Sequence, residues 1–156
     1  MSNPVSSHGF TLIELMVTVL ILSIFAAIAV PGFTDLIRDS RTQSVGNELD
    51  SLIQFARSTS VTRRSEISVC VGADSVWTVK SDCASAATIR SMKVPQGVQA
   101  ESDTSELNFH SNGTVAAAMN IAVCREDNSG RAYLLSVQRS GFISQRVSEG
   151  NGSCTP

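Results

Sequence analysis

Residues 9–33 read GFTLIELMVTVLILSIFAAIAVPGF, and between positions 10 and 30 the only ionisable side chain is Glu14. A helix rises about 1.5 Å per residue, so about 20 apolar residues cross a hydrocarbon layer about 30 Å thick. The run is therefore expected to be a membrane-embedded helix. With no water-facing stripe, it must lie in lipid or be buried among copies of itself. An acid at the centre of a bilayer helix costs roughly 2.5–3.5 kcal/mol, so it is kept there mainly with a partner or a task. One reading lets Glu14 reach the headgroups from near the helix end. The other begins with Gly9: a cut after it would create an amino group on Phe10, four residues before Glu14. That cation could meet Glu14 of the same chain or of a neighbouring copy, in a low-dielectric place where Coulomb attraction is strong.

Gly9-Phe10-Thr11-Leu12-Ile13-Glu14 followed by an apolar helix resembles the class III signal of type IV prepilins and type II secretion pseudopilins. The resemblance implies cleavage after Gly9 by a prepilin peptidase on the cytoplasmic face, N-methylation of Phe10, and a role for Glu14 in assembly. Residues 1–9 depart from a strong topogenic signal, because they contain no Lys or Arg and the positive-inside bias ahead of the helix is weak. An ordinary secretory signal peptide is the competing reading, since Ala27-Ile28-Ala29 resembles an A-x-A cleavage site. The apolar core is long for that and the leader lacks a basic region. A mature N-terminus at Phe10 or at Val30 separates the two.

All twelve Lys and Arg lie after position 33, against thirteen of the fourteen acids, so residues 34–156 carry a net charge of −1. That balance argues against a general polyanion binder. The four cysteines, Cys70, Cys83, Cys124 and Cys154, all lie in the same part. An even number downstream of an export signal points to two disulfides in an oxidising compartment. A zinc site is disfavoured, because no C-x-x-C pair occurs and only His110 is at hand. Four cysteines allow three pairings. Cys70 with Cys83, closing a short hairpin-like segment, and Cys124 with Cys154, tying down the tail, are the favoured pair.

Pro31-Gly32 should bend the helix, since proline removes one backbone hydrogen bond and clashes with the preceding turn. Beyond it Leu36, Ile37, Val45, Leu49, Leu52, Ile53 and Ala56 recur at steps of three and four with charges between them, an amphipathic helix expected to pack on a sheet. From position 10 to about 64 the two halves would form a rod on the order of 80 Å long. From position 65 short β-branched runs alternate with turn residues, and strands are expected at residues 67–71, 76–80, 89–94, 107–109, 121–124, 132–138 and 142–147. Asp127-Asn128-Ser129-Gly130, Ser111-Asn112-Gly113 and Pro95-Gln96-Gly97 are turn chemistry. Residues 102–106 read as a polar loop, and 150–155 as a loose tail apart from Cys154. The organisation expected is thus a leader at 1–9, a transmembrane and assembly helix at 10–33, and a periplasmic domain at 34–156. That domain comprises an amphipathic helix at 34–64 and a β-rich part at 65–156.

The 49–58 segment LDSLIQFARS before a β-rich domain, the strand and turn from Leu107-Asn108-Phe109 to Gly113, and the strand and turn from Tyr133 to Gly141 resemble minor subunits of the GspH and FimT/FimU type. The resemblance implies an α+β, type IV pilin-like fold with a long N-terminal helix packed against antiparallel sheet. It also implies a low-abundance subunit, single-pass in the inner membrane with a periplasmic domain. Such a subunit helps begin or cap a filament of other minor pilins and the major pilin, through an inner-membrane assembly platform. Two disulfides favour a FimU-like minor pilin over a secretion pseudopilin, which stays as the neighbouring alternative.

No G-x-S-x-G elbow, phosphate loop or H-E-x-x-H helix occurs, and neither an enzymatic activity nor a cofactor is expected. His110 reads as a surface residue, and Trp77 and Phe109 as core. A rival of another class is DNA binding in uptake, as in some FimT-like relatives. Its candidate contacts are Arg57, Arg63 and Arg64 near the helix end, and Arg139 and Arg146 near the last strand. Against it, Phe142-Ile143-Ser144-Gln145-Arg146 lacks the glycine-arginine-x-arginine pattern of those relatives.

Overall fold

The computed structural model describes residues 10–148 and 153–156. The expected leader, with Gly9, and positions 150–152 of the expected tail lie outside the described residues. The chain forms two compact units that divide between Leu36 and Ile37. Helix α1, Leu12–Arg63, contributes residues to both, and its helical assignment continues through Pro31 and Gly32.

In the first unit the helix starts on a side-chain cap. The Glu14 backbone N–H donates to Thr11 Oγ1 at 3.3 Å, and the Leu15 N–H to the Thr11 carbonyl at 3.2 Å. Thr11 is therefore the N-cap and Glu14 the third helical residue, the spacing that satisfies an otherwise orphaned N–H. Beyond the cap the large apolar side chains are exposed all round, Leu12, Leu20 and Phe25 among them. This part of α1 is long and apolar enough to cross a membrane.

In the second unit one stripe of α1 is buried: Val45, Leu49, Leu52, Ile53 and Ala56, flanked by Thr42 and Ser60. Steps of three and four keep these residues on one face. Leu36 and Ile37, expected on the same stripe, are instead exposed, because the buried face begins only at Thr42. The helix ends in a Schellman motif. Ser65 N–H reaches back to the Ser60 carbonyl, Arg64 N–H to the Val61 carbonyl, and Arg64 has φ of 51°.

Eight strands follow: β1 Ile67–Val71, β2 Val76–Lys80, β3 Thr88–Lys93, β4 Val98–Ser102, β5 Glu106–Phe109, β6 Met119–Arg125, β7 Ala132–Val137 and β8 Ile143–Ser148. They make two four-stranded sheets, in the orders β3-β2-β1-β5 and β4-β6-β7-β8, with every pairing antiparallel. β4 was not among the expected strands. It is an edge strand whose sequence VQAES has only two apolar residues, so it lacks the β-branched run that marks its neighbours. Its pairing with β6 also converts part of the expected 102–106 loop into strand end, Ser102 facing Ile121.

One core joins both sheets to the helix stripe and includes Trp77, Phe109, Met119, Ile121, Val123, Leu135 and Val137. Trp77 Nε1 is buried there without a hydrogen-bond partner, so the indole is retained for its bulk. At the rim, the Arg90 guanidinium of β3 lies 5.2 Å from the ring centroid of Phe55 on α1. That distance is within cation–π reach and seals a half-buried aromatic.

Two turns of the same construction meet near the C-terminal end of α1. At 110–114 the His110 N–H donates to the Thr114 carbonyl and the Gly113 N–H to the His110 carbonyl; at 138–142 Gln138, Phe142 and Gly141 repeat the pattern. Gly113 and Gly141 both have positive φ, 80° and 76°. They lie close together, and a Cβ on either would come tightly against the Arg57 side chain, with Nε at 3.3 Å from Gly113 and 3.0 Å from Gly141.

Candidate functional site

The feature with least to do for the fold itself is the start of α1. Phe10 is 82 % exposed, and no side-chain hydrogen bond or ion pair joins Glu14 to another described residue. Glu14 does lie in the first helical turn, where the unpaired N–H groups carry partial positive charge and favour an anion. This role for the acid was missed in the sequence, although Thr11-Leu12-Ile13-Glu14 has the spacing of a capping box. The helix end therefore offsets part of the cost of the charge, while the carboxylate stays available to a cation.

A second cluster ties α1 to the β6–β7 hairpin. Arg125 continues the inward-facing alternation of Met119, Ile121 and Val123, and only 7 % of its side chain is exposed. Its guanidinium lies 3.5 Å from Asp39 and 3.4 Å from Asp127, and Arg38 lies 3.8 Å from Asp127. The Arg125–Asp39 approach is an ion pair without hydrogen-bond alignment, which leaves Asp39 Oδ1 without a hydrogen bond. The Ser129 hydroxyl and backbone N–H, both donating to Asp127, hold its carboxyl below the usual range, helped by the charges of Arg125 and Arg38. The cluster is self-neutralising. It reads as a structural clamp, and its one advance signal was an arginine at an inward-facing strand position.

Cys70 is bonded to Cys83 and Cys124 to Cys154, with Cα–Cα distances of 5.7 and 5.5 Å. The first links β1 to the segment between β2 and β3. The second holds the chain end against β6, where Cys154 Sγ is 3.7 Å from the Ala122 carbonyl. Three of the arginines considered for DNA have places in the fold. Arg57 is packed against the two glycine turns and Arg64 is the left-handed residue of the helix stop. Arg146 lines a cleft with Leu134 and Pro156, on the side of β8 opposite Gln145, which approaches Gly46 of α1. His110 is partly exposed and 3.0 Å from Glu66. Among the described residues no group of His, Cys, Asp and Glu is placed to hold a metal ion.

The family model for the type II transport protein GspH matches residues 45–141, more than half of the chain. The chain belongs to the GspH family. A model of the prokaryotic N-terminal methylation motif matches residues 5–30. Two Moraxella bovis proteins, the type IV major alpha-pilin and fimbrial protein Q, are each 54 % identical over 44 residues. The chain thus spans 28 % of the length of these curated relatives, and 28 % of its own length is matched. Among solved structures, the Pseudomonas aeruginosa type IV minor pilin FimU aligns with a TM-score of 0.61 at 22 % identity, over 75 % of this chain and 94 % of that one. A second crystal form of FimU gives 0.58 at 23 %, over 72 % and 96 %. The GspH-family chain therefore has the type IV pilin-like fold. The methylation-motif match coincides with the apolar start of α1, the part long and apolar enough to cross a membrane.

Proposed function

We propose that this chain is a minor pilin that helps initiate or cap a type IV pilus. In this reading residues 1–9 are removed by a prepilin peptidase after Gly9, and Phe10 is N-methylated. Residues 10–33 hold the subunit in the inner membrane, with residues 34–156 in the periplasm, until the assembly platform withdraws it into the filament beside other minor pilins and the major pilin. The supporting observation is Glu14, an acid without a side-chain partner among the described residues, at the head of a helix whose apolar side chains from Leu12 to Val30 lie open. Exchange of such a helix between lipid and a helical bundle has little hydrophobic cost, so packing and one charge pair can set register and direction. Pro31-Gly32 marks where this helix is able to bend.

Glu14→Ala tests the proposal. The amount recovered in sheared filaments should fall at least tenfold, while the melting of the folded domain is unchanged; normal incorporation would refute the role of Glu14. A pseudopilin of type II secretion is the second reading, favoured by the description of the matching family model. Deleting the gene separates them: loss of surface pili with secretion intact supports the pilus, and the reverse supports the pseudopilus.

A further inference from the structure

The clefts of the second unit differ in how their charge is answered. The one beside Arg38, Arg41 and Arg125 has acids in its own wall, Glu126 and Asp127. A cleft of about 570 Å³ between the last turns of α1 and the β7–β8 turn does not: of the residues that line it, only Arg57 is charged. Among the described residues Arg57 takes part in no ion pair, and its side chain is packed against Gly113 and Gly141. A long cationic side chain normally loses about 2 kcal/mol of rotamer freedom on being fixed, so one already confined is ready to meet an anion at lower cost. The same cleft holds Phe142 and Val61, 56 % and 48 % exposed, with Ile143 beside them. Only two other large apolar side chains of this unit, Ile37 and Val147, are similarly open among the described residues. Two exposed apolar side chains meeting in one concavity next to a confined cation is the composition of an interface anchor point, an apolar centre with an arginine.

We propose that this cleft docks a protein segment that sets an apolar side chain beside a carboxylate: the apolar group covers Val61 and Phe142, and the carboxylate pairs with Arg57. Charge complementarity selects the acid, since the cleft supplies one positive charge and no negative one. The aliphatic walls select a protein side chain over a nucleic acid, because a single arginine gives only one phosphate contact and the domain carries a net charge of −1. The inference stands on the cleft and does not depend on the filament reading.

The test uses the full-length chain in its own cells. The photoreactive residue p-benzoylphenylalanine replaces Phe142 or, as a control outside the cleft, Val147. After irradiation, the adduct at 142 should map to one protein segment with an Asp or Glu within two residues of an apolar side chain. Arg57→Glu should lower its yield at least tenfold, and reversing the partner's acid to Lys should restore it. If Arg57→Glu lowers the melting temperature, Arg57→Gln carries the same comparison. Absence of an adduct, an adduct with nucleic acid, equal yields from 142 and 147, a partner segment without a carboxylate, or indifference to Arg57 substitution would each overturn the proposal.

Discussion

Gly141→Ala should be among the most damaging single-atom changes in the domain, and Gly97→Ala provides its control. Both glycines have positive φ, 76° and 86°. An L-residue in that region costs roughly 1–2 kcal/mol, offset by roughly 0.4–1 kcal/mol because alanine restricts the unfolded chain. A Cβ on Gly97 meets nothing within 4 Å, so that variant should lose only this backbone difference, about 1 kcal/mol. A Cβ on Gly141 would fall well inside the Gly113 carbonyl oxygen and 3.0 Å from Arg57 Nε. The carbonyl is backbone in a hydrogen-bonded turn and cannot rotate away, so the two turns must part. Forced overpacking adds about 1–3 kcal/mol, for a total of about 2–4 kcal/mol. For a unit of this size that is a drop of roughly 8–15 °C in melting temperature, against about 4 °C for Gly97→Ala. Circular dichroism melting of the detergent-solubilised full chain, disulfides intact, measures both. Equal losses in the two variants would refute the steric reasoning.

Three further outcomes follow from the same coordinates. Replacing the Cys124–Cys154 pair with serines should cost about 3.6 kcal/mol and the Cys70–Cys83 pair about 2.9 kcal/mol on chain-entropy grounds, from separations of 30 and 13 residues; non-reducing urea melts showing the opposite order would contradict this. Leu49→Ala should cost about 2–5 kcal/mol and Ile37→Ala less than about 0.5 kcal/mol, because the first side chain is fully buried and the second half exposed, and denaturant midpoints compare them directly. The depressed Asp127 carboxyl favours the folded state fully above the unfolded pKa of about 3.9, and that contribution disappears as pH falls through the lower folded value. The stability gap between the natural chain and Asp127→Asn should therefore be open at neutral pH and close below about pH 4; a gap unchanged by acid would contradict the hydrogen-bond origin of the shift.

Elements that announce themselves by local pattern were legible in advance. The apolar run and its acid, the stripe from Val45 to Ala56, and the β-branched runs of β1 and β2 all carry their own periodicity. β4 did not, because an edge strand needs no continuous apolar run and its partner β6 follows it in sequence by some twenty positions. Arg125 was equally hidden. Its burial depends on Asp39, which lies far from it in the chain and meets it only once β6 is docked on α1. Arg64 carried a charge that suggested a ligand contact, whereas its backbone serves the helix stop.

What the residues determine unaided is whatever depends on neighbours within a turn or two: that the chain opens in an apolar helix carrying one acid, and that a β-rich half follows. The division of eight strands between two sheets, the β1–β5 pairing across the intervening strands, the meeting of Gly113 with Gly141 and the cleft around Arg57 belong to the tertiary structure alone. They depend on which distant surfaces exclude water together, and nothing in the local spacing of side chains encodes that choice.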